Sequence, residues 1–370
     1  MKKSYLMIAA AVLTFAACSN ESTVKELNET VAEMPISFNS FTSNVTKATI
    51  GGIDNLKTEG GFVVYGYKTL SNVTSTDWTS INQNVFTGKN VYWDNTASNW
   101  VYNGLRFWDK NAKYNFYAVA PYNPTDAAAY SINTTLGANF GYITIAGATS
   151  KISTASDDYL IDRNGVLNEL GSNHTGATNP DVPFDFHHVM AKVSFALKST
   201  LASGTIKVTG LKMTGWNNAA GTFVQTSAST PAALDCAEWT LATPAVAGDI
   251  NLVGTGTGNT SVELTCSTSA TATTLTDWYI MVPQAIAANT LTFTVTYTYT
   301  DNNGTPADTS DDYVETFTNQ AAAVATAQTW GTDSHTVYTL DIKPNAINFD
   351  VTSICDFCAV NPHDEGLVIR

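Results

Sequence analysis

The chain has 370 residues and a net charge of −14, yet only 14% of its residues are charged. Its three arginines, Arg106, Arg163 and Arg370, are scattered, which argues against a nucleic-acid partner because phosphate binding needs clustered cations. With 44% hydrophobic residues and abundant Thr, Val, Tyr and Phe, the composition suits pleated, half-buried strands.

Lys2 and Lys3 precede an uncharged run from Ser4 to Ala17, the two parts of a signal peptide over residues 1–17. Ala16 and Ala17 stand directly before Cys18, a pattern that resembles the bacterial lipobox, with Phe15 where Leu is usual. The thiol of Cys18 is therefore expected to carry lipid. Its partner is then the outer membrane, since each buried acyl methylene contributes about 0.8 kcal/mol. The other reading is an ordinary cleaved signal followed by an incidental cysteine. Residues 18–33 are polar and acidic without a period and read as a tether.

Strand patterning starts at "MPISFNSF", where Met34, Ile36 and Phe38 alternate with Pro35, Ser37 and Asn39. Short apolar segments follow at residues 60–68, 90–94, 100–108 and 113–122, punctuated by Gly, Asn, Asp and Pro. A second series opens at residues 184–199 and includes the cleanest strand of the chain. There Leu291, Phe293, Val295, Tyr297 and Tyr299 alternate with threonines. Residues 301–312 then turn the chain into "YVETFTN", a hairpin with a long loop. Two further strands, "HTVYTLDI" and "NAINFDV", end the series. The Gly-, Asn- and Pro-rich stretch 168–183 reads as a linker. The expected organisation is all-β: antiparallel β-sandwich domains over 34–183 and 184–370.

Catalytic patterns are sparse. None of the five histidines lies in a metalloprotease spacing, and the neighbours His187 and His188 point to opposite strand faces. Residues 253–261 lack the glycine spacing of a dinucleotide loop. "DNNG" starts like a calcium loop, but Asp312 stands where the closing Glu belongs, so a turn is expected. Adjacent acids such as Asp157 and Asp158 diverge on a strand, and no nucleophile, cofactor or metal motif accompanies them. Cys236, Cys266, Cys355 and Cys358 read as structural or free thiols. A Cys355–Cys358 disulfide would require a turn, because residues three apart in a strand are about 10 Å apart. Trp93, Trp100 and Trp108 are either a sugar platform or aromatics of a sandwich core.

The ordered set "GGFVVYGY", "VYWDNTASNWVYNGLRFWDKNAKYNFYAVAPY", "DDYLI", "FDFHHVMAKVSFAL", "WYIMVPQ" and "YTLDIKPNAINFDV" resembles the fimbrillin family, the Mfa-like subunits of type V pili in Bacteroidales. The resemblance implies two tandem transthyretin-like, Greek-key sandwiches that reach the outer membrane and cell surface as a lipoprotein. It also implies that a trypsin-like, usually Arg-specific protease removes the lipidated segment with the first strand. A strand from another copy or a related pilin then fills the groove.

Mapped onto this chain, the removable strand is 34–41, with Ile36 and Phe38 inward, and the cut falls between Lys47 and Ala48. Lysine stands there where the family often has arginine, so processing needs a Lys-tolerant protease or does not happen. "NAINFDV", with Ile347, Phe349 and Val351 on one face, is either the donor or the last internal strand. The function implied is a non-enzymatic adhesive fimbrial subunit that binds a host or bacterial surface glycan or protein. The alternative is a permanently lipid-anchored surface protein that does not polymerise.

Overall fold

Strand after strand alternates buried and exposed side chains, and the sheets follow from that alternation. The computed structural model describes residues 34–42, 53–58, 60–70, 83–122, 128–152, 158–175, 178–228, 235–305, 308–344 and 346–354. Cys18, Lys47, Ala48, Cys355 and Cys358 lie outside these described residues, as do the signal peptide and tether.

The first sheet runs β1 (Phe38–Thr42), β11 (Val182–His188), β9 (Leu160–Asp162), β5 (Ala112–Ala120), β2 (Phe62–Leu70), β3 (Gln83–Asp94) and β4 (Asn99–Val101), with β10 (Val166–Leu170) also on β5. Its core is drawn from its own strands: Phe38, Phe62, Phe86, Phe116 and Phe184 pack together. Phe38 of β1 lies 5.3 Å from Phe86 of β3, although four strands separate them in the sheet. The sheet is therefore folded over on itself to make the first sandwich. A six-residue helix, α1 (Ile53–Thr58), lies between β1 and β2 in the chain.

The second sandwich packs two sheets around one core. One runs β24 (Ala346–Ile354), β23 (Ser334–Lys343), β12 (Ala191–Lys198), β18 (Thr273–Met281) and β8 (Lys151–Ile152). The other runs β16 (Ala247–Val253), β13 (Thr205–Asn217), β20 (Thr292–Asp301) and β21 (Tyr313–Ala323), with β17 (Val262–Thr265) also on β13. Phe195 of β12 meets Phe293 of β20 at 5.9 Å inside it. On β20 the expected face is buried from Leu291 to Tyr297, and the hairpin to β21 forms with Asp301 opposite Tyr313. A four-stranded sheet, β15 (Trp239–Leu241), β14 (Gly221–Val224), β7 (Ile143–Ala148) and β6 (Ala129–Ile132), combines segments from both halves of the chain. The pair β19 (Gln284–Ile286) and β22 (Gln328–Trp330) completes the set. Pairing is antiparallel except for β1 on β11 and β12 on β23.

Three local expectations are corrected. Residues 168–183 are not simply linker: they give the end of β10, a 3₁₀ turn at Gly171–Asn173 and the start of β11. The run 184–199 is not one segment, because β11 belongs to the first sheet and β12 to the second sandwich. Val189 and Met190 lie between them, fully buried in a core shared with Ile143, Phe223 and Ile280, and Trp239 Nε1 donates to the Val189 carbonyl at 2.7 Å. Burial of that pair and capture of the carbonyl hold the chain where it changes sheets. In 100–108, only the first residues are strand. Gly104, at φ +77°, turns the rest into a loop.

Candidate functional site

The seam of the first sandwich is the segment from Met34 to Thr42. Its start is extended rather than paired as a regular strand, with Pro35 bridging Phe107. Ile36 N–H donates to the Arg106 carbonyl at 2.8 Å, and Trp108 N–H donates to the Met34 carbonyl at 2.9 Å. On the other side Val182 N–H donates to the Ser37 carbonyl at 2.8 Å, and β1 then runs parallel to β11 from Phe38 opposite Val182. The segment is held between the 102–108 loop and β11, and it closes the rolled sheet.

Alternation decides which side chains seal the seam. Ile36 and Phe38 are 1% and 3% exposed, while Ser37 and Asn39 are half-buried. Phe38 contacts Phe86, Tyr102, Phe116 and Phe184 at centroid distances of 5.3–5.9 Å. Tyr102 Oη donates to the Ile36 carbonyl at 2.8 Å, and burial pushes its phenol up while the Arg106 backbone and cation partly oppose that shift. A strand removed from here would leave an aromatic trough and unpaired backbone on both walls.

The other candidate strand is β24. It pairs antiparallel with β23 at the edge of its sheet. Ile347, Phe349 and Val351 are partly buried against the second core, with Phe349 5.3 Å from Phe293, and the residues between them are exposed. The spacing Ile-x-Phe occurs in both strands, as Ile36–Phe38 and Ile347–Phe349.

The tryptophans do not form a surface platform. Trp100 and Trp108 are 6% and 8% exposed, Trp93 meets Trp100 edge-on at 5.4 Å, and Lys57 Nζ sits 4.2 Å over the Trp93 ring. His187 and His188 approach different acids, Asp185 at 3.4 Å and Asp158 at 2.7 Å. Cys236 and Cys266 are free thiols, and burial pushes both up. Among the described residues no group of three His, Cys, Asp or Glu could hold a metal, and no helix is long and apolar enough to cross a membrane. An open pocket of about 350 Å³ lies beside the 254–258 turn, but its acids are engaged, Asp249 with Lys212 and Asp277 with the Gly258 N–H.

Two polar clusters escape a reading of the sequence. Arg163 and Glu238 form a buried two-bond pair, with Arg163 Nη2 2.6 Å from Glu238 Oε2 and Nη1 3.2 Å from Oε1. His174 stacks on Trp108 beside the seam, rings 3.6 Å apart and 9° from parallel. In both clusters the partners come from loops far apart in the chain, Arg163 with Glu238 and Trp108 with His174, so spacing along the chain carries no sign of them.

Residues 46–356 match the model of a family described as fimbrillin-like. The fimbrium subunit Fim1C of Phocaeicola vulgatus is 29% identical over 226 residues, 58% of this chain and 57% of that protein. The matched region thus spans little more than half the length of that relative. A crystal structure of a fimbrial protein from Bacteroides vulgatus superposes with a TM-score of 0.62 at 20% identity, over 86% of this chain and 98% of that one. That likeness is one of fold.

Proposed function

For this chain, which belongs to the fimbrillin-like family, we propose the role of a surface fimbrial subunit that assembles by exchange of strands and serves adhesion. In this reading the chain reaches the outer membrane as a lipoprotein acylated at Cys18, is cut between Lys47 and Ala48, and loses the segment that closes its first sandwich. The trough around Phe86, Tyr102, Phe116 and Phe184 then accepts β24 of another copy, Ile347 and Phe349 taking the places of Ile36 and Phe38. Because donor and acceptor are different surfaces of one molecule, the contact is head-to-tail and builds an open filament. The role is structural, without a catalytic step.

The single observation that carries this reading is the seam. It is an edge element bonded on both sides yet contributing its deepest anchors, Ile36 and Phe38, from one short peptide. The repeated Ile-x-Phe spacing supplies a matching occupant. A second reading, a permanently anchored protein that does not polymerise, is favoured by β24 lying against its own core through Phe349 and Phe293.

Protein taken from the cell surface separates the two. An N-terminus at Ala48 with SDS-resistant ladders supports the polymerising subunit; acylated Cys18 on every molecule, without ladders, overturns it. In solution, a chain beginning at Ala48 is expected to bind a peptide of residues 346–354 and to reject one carrying Phe349→Asp.

A further inference from the structure

Two of the three arginines lie among the described residues, and the fold treats them oppositely. Arg163 is 2% exposed and bound in its pair with Glu238. Arg106 stands in a run from Asn103 to Phe107 in which every residue is exposed. Its guanidinium reaches no further than its own loop, Nη1 donating to the Gly104 and Leu105 carbonyls at 3.1 and 3.3 Å. Exposed loop tips are where proteases nick a fold, and an arginine at such a tip suits an arginine-specific endoprotease.

The backbone at this bond is nevertheless occupied. Cleavage between Arg106 and Phe107 needs the Arg106 carbonyl in the oxyanion hole of the enzyme, where the tetrahedral intermediate forms. Here that carbonyl accepts from the Ile36 N–H at 2.8 Å. Phe107 is bridged to Pro35, and Trp108 N–H donates to the Met34 carbonyl at 2.9 Å. Arg106 N–H donates to Tyr102 Oη at 3.2 Å, and the same hydroxyl donates to the Ile36 carbonyl at 2.8 Å. From the other side Asn179 Nδ2 donates to the Pro35 carbonyl at 3.1 Å and helps to hold the segment down. Residues 34–36 thus engage residues 106–108 through the backbone groups on either side of the bond.

We propose that Arg106–Phe107 is a masked cleavage site for an arginine-specific endoprotease, covered while the seam is filled and open when the seam is vacant. Hydrolysis there consumes one water: the C–N bond breaks, Arg106 keeps the new carboxylate and Phe107 the new amino group. The cut parts the loop between β4 and β5 that forms one wall of the trough. Its consequence rests on the proposed function. A subunit that has lost its segment and gained no donor is nicked, whereas one filled by Ile347 and Phe349 of another copy has its Arg106 carbonyl bonded again and is spared.

The test incubates the full chain with an arginine-specific protease at one fixed pH and follows the new N-termini by mass spectrometry. Wild type is expected to be cut slowly after Arg106. Ile36→Pro removes the N–H that holds the Arg106 carbonyl. It should speed that cut by about tenfold or more, because cleavage of an opened segment follows its open population. Tyr102→Phe frees the Ile36 carbonyl and should speed the cut about two- to tenfold, the worth of one hydrogen bond. The Arg163–Asn164 bond is the internal control, since its arginine is buried. Fragments starting at Phe107 without fragments starting at Asn164 mark local release of the seam. If Ile36→Pro is cut at both bonds it has unfolded, and Tyr102→Phe decides alone. Arg106→Gln added to either variant should abolish the Phe107 fragment. Wild-type cleavage after Arg106 as fast as in the variants, or variants that stay uncut there, overturns the mask. Strand exchange is judged separately by ladders at the cell surface: seam-dependent cutting without ladders sinks the exchange alone, and ladders with seam-independent cutting sink the mask alone.

Discussion

Phe38 stacks on Phe184, ring centroids 5.7 Å apart and planes 18° from parallel, and this contact ties the seam to the strand beside it. Phe38 also meets Phe86 and Phe116 edge-on, so one side chain joins three strands of a sheet folded over on itself. Phe38→Ala should therefore behave as a core truncation. The expected loss is about 3–5 kcal/mol, the usual cost of emptying a buried phenylalanine site. Urea unfolding followed by tryptophan fluorescence measures it. A loss under about 0.5 kcal/mol, typical of a surface change, would show that the segment does not seal the first core.

Gly61 holds the corner where the chain meets β2. Its φ is +89°, its N–H donates to the Leu56 carbonyl at 3.0 Å, and its carbonyl accepts from Tyr122 at 2.9 Å. A Cβ added here would run into the Val91 carbonyl of β3. Gly61→Ala combines a left-handed backbone with a clash against main chain, and it should destabilise by more than about 1 kcal/mol. Gly60→Ala is the control: its φ is also positive, at +86°, but nothing lies within 4 Å of an added Cβ. Thermal melts of the pair should separate steric cost from backbone cost, with the Gly61 variant melting lower.

Much of this architecture was legible because period-two alternation is a local property. Ile36 and Phe38, the Leu291–Tyr297 face and the Ile347–Val351 face could each be read from neighbours in the chain, and each is buried or half-buried as read. What could not be read is which strand a residue ends beside. "FDFHHVMAKVSFALKS" reads as one apolar run, yet Val189 and Met190 carry it from one sheet to another. The tryptophans were ambiguous for a related reason. Composition cannot tell a core indole from an exposed one, and only the folding-over of the sheet buries Trp100 and Trp108. His174 and Asn179 stood in a stretch read as linker, and their meaning depends on Trp108 and Pro35 arriving from elsewhere.

Asp162 at the end of β9 is 3% exposed, and burial pushes its carboxyl up to about 7; nearby Asp185 adds to the rise, while the N–H groups of Gly165 and Asn164 oppose it. The folded chain thus holds this proton more tightly than the unfolded chain, whose group titrates near 3.8. Its contribution to stability is complete below the unfolded value and is lost as pH rises through about 7. Asp162→Asn keeps an oxygen for the two N–H donors and removes the titration. The melting temperature of the variant relative to wild type should climb between about pH 4 and about pH 7 and level off above. Parallel, pH-independent curves would show that Asp162 is ionised in the folded chain throughout.

The last prediction concerns the buried pair that joins the turn after β9 to the start of β15. Arg163 and Glu238 have side chains only 1% and 4% exposed, and their carboxylate also accepts from the Thr226 N–H at 2.8 Å. Gln225 Nε2 donates to the Arg163 carbonyl at 2.9 Å, so the same cluster fixes the backbone on which the guanidinium is mounted. Removing one charge leaves the other desolvated without a partner. Glu238→Ala should therefore cost about 3–5 kcal/mol, whereas replacing both residues by apolar ones, Arg163→Met with Glu238→Leu, should cost far less than twice that. Urea unfolding of the single variants Arg163→Met and Glu238→Leu and of the double variant that combines them closes the cycle. If the double loss equals the sum of the singles, the two groups act independently and the pair is not what holds this junction. A strongly sub-additive result assigns the cost of each single change to the orphaned charge, and Arg163 is then an arginine whose role is to be held inside the fold.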